Sequence, residues 1–298
     1  MTASSLPGIA LVLLAAMLWG TTGTAQSLAP DQLSPYWIGA LRLAVASVFF
    51  ALLARLARRQ DAGPAPLPRG AALLAAICVA AYNLSFFAGV KAAGVALGTA
   101  LAIGSGPIWA GVLQTALLRR LPPALWWLGT LLGVAGGAAL VLDGQGGGAA
   151  GVSVAGIALC LLAGLSYAGY ALVNQQLVAQ VGAARANLAA FGGAAVLALP
   201  LALMLGGVPA PQPGTWAVVI YLGLVATGLA YLLFSTALRR ISGATAVTLA
   251  LAEPVTAFAL AIAIVGERPG ALAFGGLAAV LAGLLLVIVA ELRGPRQA

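Results

Sequence analysis

The chain is a succession of apolar runs, each about twenty residues long and separated by short loops, and this leaves it few folds to choose from. At 1.5 Å per residue, a run of that length crosses a hydrocarbon core as a single helix. Spans are expected at 7–28, 35–54, 70–90, 94–118, 124–142, 153–174, 186–205, 214–236, 243–264 and 270–290. Lipid offers no partner to a backbone N–H or C=O, so each span satisfies its own hydrogen bonds and the spans gather into a bundle. The predicted fold class is therefore all-α integral membrane, with ten transmembrane helices. Composition agrees: 7% of the 298 residues are charged and 62% are hydrophobic, too little charge to dress a soluble surface. The first run resembles a signal peptide with Ala25-Gln26 at the cleavage position, but residues 1–7 hold no Lys or Arg to form a basic n-region. It is read as a span.

The net charge of +8 is not a nucleic-acid footprint, because the arginines sit between the apolar runs. With the N-terminus inside, the cytoplasmic side receives Arg55, Arg58, Arg59, Arg69, Arg119, Arg120, Arg185, Arg239, Arg240, Arg293 and Arg296. The outside receives Lys91 and Arg268, and Arg42 stays within a span. Eleven against two is a decisive asymmetry under the positive-inside rule. An even number of spans then places both termini in the cytoplasm, in a multi-pass protein of a bacterial inner (plasma) membrane. Cys78 and Cys160 both fall inside apolar runs, so neither a disulfide framework nor a metal-ligand spacing is present, and no cofactor is expected.

The chain also repeats itself. GIALVLLAAMLWG at 8–20 aligns with 156–168 at an offset of 148, which sets Trp19 opposite Tyr167. Residues 94–107, ending in Gly106-Pro107, align with 241–254, ending in Glu253-Pro254, at an offset of 147. The expected organisation is a first five-helix repeat at 1–143, a linker at 144–152 and a second five-helix repeat at 153–298. Five is odd, so the second copy enters the membrane upside down, the inverted-topology arrangement through which secondary transporters alternate access around a midplane site. The glycine-rich stretch Gly144 to Gly151 reads as the flexible joint between copies, since no Lys-Ser/Thr follows to make it a phosphate loop.

A transport site needs broken helix regularity near the midplane. Gly106 and Pro107 supply one break, where Pro107 frees the Ile103 carbonyl, and Pro254 supplies its counterpart by freeing that of Ala250. Each break serves equally as a packing kink or a gating bend. Glu253 is the one acidic residue deep inside a span. It is suited to bind a substrate amine, carry a coupling proton, pair with Arg42 or bond neutrally across helices. Arg42 lies roughly 10 Å deep, placed to snorkel outward, anchor a substrate carboxylate or form an ion pair. Trp19, Tyr82, Asn83, Ser105, Trp109, Tyr167, Tyr170, Tyr231 and Ser235 cluster near span centres. Interface belts would put aromatics at span ends instead, as with Tyr36, Trp37, Trp126, Trp127 and Trp216. Small residues at Gly129, Gly133 and Gly137, and at Ala271, Gly275, Ala279 and Gly283, recur every four residues and read as packing between halves or between protomers.

Trp19-Gly20, Arg42, Pro107, and Glu253-Pro254 with Gly266-Glu267-Arg268 together resemble the EamA branch of the drug/metabolite transporter superfamily. The resemblance runs over nearly the whole chain and is most specific in ATAVTLALAEPVTAFALAIAIVGER. The first half departs from it, with Arg119-Arg120-Leu121 where the family has its Gly-Glu-Arg turn. Within the branch the chain is most similar to amino-acid exporters of the YddG type. The resemblance implies a carrier of small metabolites and leaves amino acids, sugars, nucleosides and drugs open as cargo. The residues favour a neutral or aromatic amino acid held by Trp19, Tyr82, Asn83, Ser105, Trp109, Tyr167, Tyr231 and Glu253, because a strongly anionic substrate would want more than Arg42. An enzyme is disfavoured: the chain has no His, no close carboxylate pair and no Ser-Lys spacing. A passive channel would want a continuous pore of repeated polar residues.

Overall fold

The computed structural model describes residues 5–27, 33–58, 66–143, 153–209, 213–266 and 268–293. The 144–152 linker and the expected topogenic or motif residues Arg59, Glu267 and Arg296 lie outside the described residues. The first half holds α1 (Ser5–Ser27), α2 (Pro35–Arg58), α3 (Arg69–Ala93), α4 (Val95–Leu118) and α5 (Ala124–Asp143). The second holds α6 (Val154–Val181), α7 (Ala183–Leu205), α8 (Pro213–Tyr221), α9 (Ala230–Ala237), α10 (Gly243–Leu249), α11 (Ala252–Leu260) and α12 (Ala271–Arg293). A π-helical segment, Leu222–Leu229, joins α8 to α9, and a second, Ala261–Val265, continues α11. Among the described residues, ten spans are long and apolar enough to cross a membrane, with α8 to α9 forming the eighth and α10 through the second π-segment the ninth.

Two helices overrun the expected ends. α2 continues to Arg58 and α6 to Val181, so Arg55 and Gln175 are helical rather than in loops. Apolar length marks where hydrocarbon stops, but a helix runs on until a residue breaks it, and on α6 that residue is Gly182. Gly182, at φ 77°, is the single residue between α6 and α7, and Gly94, at φ 89°, plays the same part between α3 and α4. A side chain at either place would strain the reversal.

The two halves meet about a pseudo-twofold axis whose trace is visible in α5 and α12. A Cβ at Gly129 would fall 2.7 Å from the Gly283 carbonyl oxygen, and one at Gly136 would fall 2.6 Å from that of Gly276. Gly129 matches Gly276, and Gly136 matches Gly283, at the 147-residue offset, so exchanging the halves maps one contact onto the other. The helices run antiparallel, which is what an upside-down second repeat requires. Other pairings obey the same exchange: α2 lies on α7, α3 on α6 as α1 lies on α9, and α4 on α6 as α1 lies on α11. The fold is two inverted-topology five-helix repeats.

The sequence-expected stripe has a different register. Gly137 and Gly275 meet nothing within 4 Å, while Gly129, Gly133 and Gly136 face Gly276, Ala279 and Gly283, so the seam alternates spacings of four and three and repeats every seven residues. A seven-residue repeat stays on one face where two helices run nearly alongside each other. Two residues assigned to the interface belt are in fact interior: Trp126 is buried with its ring against Trp127, and buried Trp37 donates Nε1–H to the Gly207 carbonyl at 2.9 Å. Trp216 remains exposed.

Candidate transport site

Four aromatic side chains from four spans converge where the halves meet. Trp19 on α1 and Tyr167 on α6, matched at the 148-residue offset, stand edge to face with centroids 6.4 Å apart. Each ring then meets a tyrosine of the opposite half: Trp19 lies 4.9 Å from Tyr231 on α9, and Tyr167 lies 5.8 Å from Tyr82 on α3. Ala81-Tyr82 and Ala230-Tyr231 hold matching places on the third and eighth spans, so these two contacts are also related by the axis. Phe234 completes the group at 5.6 Å from Trp19 and 6.1 Å from Tyr167. Sequence reading passed over Phe234 because an apolar ring in an apolar span carries no signal, although its place one turn beyond Tyr231 puts it on the same face.

Several polar atoms here are unspent. Among the described residues, Trp19 Nε1, Tyr167 OH and Arg42 Nε are buried with no hydrogen-bond partner. Buried donors are nearly always paired, because leaving one unmade costs about 1–3 kcal/mol. Arg42 is held inward: its Nη2 donates to Asn83 Oδ1 at 2.7 Å, while Asn83 Nδ2 donates to the Val79 carbonyl at 3.0 Å. Of the roles open to it from sequence, snorkelling is thereby replaced by an amide clamp, and Asn83, committed at both ends, positions Arg42. Glu253 sits in the first turn of α11. Arg42 and Glu253 are both close enough to Tyr82 for their charges to act at its hydroxyl. Gly20 accounts for how α1 reaches this point, since a Cβ there would lie 2.7 Å from the Glu253 carbonyl oxygen and 2.6 Å from Thr256 Cβ. Trp19-Gly20 is thus a ring and a notch, one facing the aromatic group and the other admitting α11.

The two proline sites differ. α4 runs helically through Pro107, and Gly106 faces the Tyr167 ring. The ninth span is interrupted at Ala250 and Leu251, and Pro254 falls within the first turn of α11, where a missing N–H is tolerated. The Ala250 carbonyl, expected to be free, accepts from the Glu253 N–H at 2.9 Å in a tightened turn. Ser105 is buried but turned into the seam between α4 and α6 at Gly164, and its hydroxyl has no partner. Trp109 is half-buried on α4, and none of the ring contacts among the described residues includes it.

A second polar group buttresses the first. Asn174 Nδ2 donates to Ser235 Oγ at 2.8 Å and to Tyr170 OH at 3.0 Å, Ser235 Oγ donates to Asn187 Oδ1 at 2.7 Å, and Asn187 Nδ2 donates to the Tyr231 carbonyl at 3.0 Å. Asn174, Asn187 and Ser235 are wholly buried. The network ties α6, α7 and α9 together behind Tyr231. Asn174 and Asn187 escaped the sequence reading, although Tyr170 and Asn174 are spaced to share one helix face.

Ten spans in an inverted repeat, around a buried group of rings with unspent donors, are the architecture of a membrane carrier rather than of an enzyme. The EamA-like transporter family matches residues 6–142 and again residues 154–289, and the chain belongs to that family. It is 37% identical over 279 residues to the uncharacterized transporter YwfM of Bacillus subtilis (strain 168), covering 94% of this chain and 93% of that one. A protein of known crystal structure shares the fold with a TM-score of 0.84 at 18% identity, over 97% of this chain and 100% of the other.

Proposed function

We propose that this transporter exports small metabolites, foremost neutral and aromatic amino acids, by alternating access across a bacterial inner membrane, with both termini in the cytoplasm. The observation that carries the reading is the unpartnered Trp19 Nε1, Tyr167 OH and Arg42 Nε around a group of aromatic faces. Flat apolar walls take an apolar or aromatic side chain, while Arg42 and Glu253 offer one charge of each sign to a carboxylate and an amine. A nucleotide-like anion would leave its further charges unmatched. The moving units are the halves 1–143 and 153–298, joined through 144–152. Trp19, Tyr82, Tyr167, Tyr231 and Glu253 contact the cargo, Arg42 anchors it while held by Asn83, and the broken ninth span at Pro254 is where gating bends. Similarity to YddG-type exporters supports the same cargo.

Purified protein in liposomes, loaded in turn with labelled amino acids, sugars and nucleosides, tests this. Saturable phenylalanine or methionine flux, reduced by Tyr82→Ala, is the expected result. Sugar flux without amino-acid flux would sink the cargo assignment.

A further inference from the structure

The two ends of the bundle are not equally closed, and the difference lies in residues outside the central site. On the face bearing Arg239 and Arg240, every residue from Ile241 to Leu251 is buried. At the repeat-matched place on the opposite face, Gly94 is exposed, Leu97, Thr99, Ala100, Leu101 and Ile103 are only half-buried, and the N-terminus of α4 has no side-chain cap. Two side chains account for the closed end. Gln175, in the overrun of α6, donates Nε2–H to the Leu238 and Ile241 carbonyls at 3.2 and 3.1 Å, and its Oε1 accepts from the Gly243 N–H at 3.0 Å. Glu291, in the last turns of α12, accepts from Thr245 Oγ1 at 2.6 Å, and Ser242 Oγ donates to that same threonine oxygen at 2.8 Å. α10 is held at its start by the sixth span on one side and the tenth on the other. One amide satisfying three main-chain groups of a reversal between spans is a lock on that reversal, since water must replace all three when it opens.

We propose that Gln175 and the Glu291–Thr245–Ser242 chain form the latch of the cytoplasmic gate, positioning residues whose release lets α10 swing and opens the site inward. The proposal rests on the transporter reading above, and on its orientation only for which face is called cytoplasmic. The first half has no like arrangement among the described residues. Its acid at the corresponding end of α5 is Asp143, which accepts instead from the Gly270 N–H at 2.6 Å, just ahead of α12 and not on α4. The hold on α10 therefore has no counterpart on α4 among the described residues, so loosening it biases the protein towards opening at that end.

The test uses full-length protein with Cys78 and Cys160 replaced by alanine, in right-side-out and inside-out vesicles, and a membrane-impermeant maleimide. One reporter is Ala244→Cys at the latch and the other is Leu97→Cys near the start of α4. Gln175→Ala and Thr245→Val are each expected to raise Ala244→Cys labelling about tenfold from the Arg239 face, the shift available from one lost strong hydrogen bond. Labelling of Leu97→Cys from the other face should fall in step, and Thr245→Ser should restore the parent rates. Unchanged Ala244→Cys labelling in both variants overturns the latch. A rise there without the reciprocal fall also overturns it, because that is local fraying. A reciprocal change with the faces exchanged supports the latch and defeats the orientation, and loss of liposome flux in the parent would defeat the transporter reading separately.

Discussion

Tyr167 and Trp19 each present a ring that packs and a donor that finds no partner. Those two properties separate under substitution. Tyr167→Phe keeps the ring and removes the unspent hydroxyl, so the fold should be unchanged or firmer by about 1 kcal/mol. If that hydroxyl meets cargo, transport should weaken by roughly tenfold in KM. Thermal unfolding in detergent beside liposome flux measures both, and a destabilised variant with normal KM would assign Tyr167 to packing. Glu253 divides differently, because among the described residues no hydrogen bond joins its carboxyl to the amide clamp that holds Arg42. Glu253→Gln is isosteric and should express normally while losing most transport. Normal flux with an unaltered pH dependence in that variant would rule out proton coupling through this residue.

Among the helix contacts, the glycine seam between α5 and α12 has the sharpest consequence. A Cβ at Gly283 would lie 2.5 Å from the Gly129 carbonyl oxygen, against backbone that has no rotamer to yield. Gly283→Val should therefore cost about 1–3 kcal/mol through overpacking, read as a lower melting temperature. Gly137→Ala is the control, since nothing lies within 4 Å of it, and a helical alanine there should be neutral or slightly stabilising. Equal losses in the two variants would show that the seam does not run where the structure draws it. The π-segment of the eighth span has a related cause. Gly223 lies against Val45 and the Arg42 carbonyl, and Gly228 against Phe49, so the widened turns are fitted along α2 beside the arginine. π-segments frequently interrupt helices at functional sites, and this one leads directly into Tyr231.

For the bundle taken together, the axis relates Trp19 with Tyr231 to Tyr167 with Tyr82, yet the ninth span is broken where the fourth is continuous. Matched sequences in unmatched conformations are what alternating access uses, each half taking the other's shape in the opposite state. The orientation of the proposed cycle rests on arginine placement. A reporter active only in the periplasm, fused at residue 298, should be silent, and one fused just after Lys91 should be active. Activity at residue 298 would overturn the cytoplasmic assignment of both termini.

The span count, the repeat and the isolation of Glu253 were legible in the sequence, because each follows from local composition and from the demand of lipid that backbone groups pair within a span. The placement of Trp19 opposite Tyr167 followed too, since an inverted repeat brings equivalent positions to one axis. How each helix is turned emerged only in three dimensions. A soluble helix advertises its inner face by polarity, but a span that meets lipid on one side and protein on the other is apolar all round, so its sequence holds little record of its rotation. That rotation brought Phe234 into the aromatic group and left Trp109 out of it, took Gly137 and Gly275 out of the glycine seam, and turned Ser105 into the α4–α6 seam. It also aligned Gln175 and Glu291 with the start of α10, a meeting of three spans distant in sequence that no pattern within any one of them encodes.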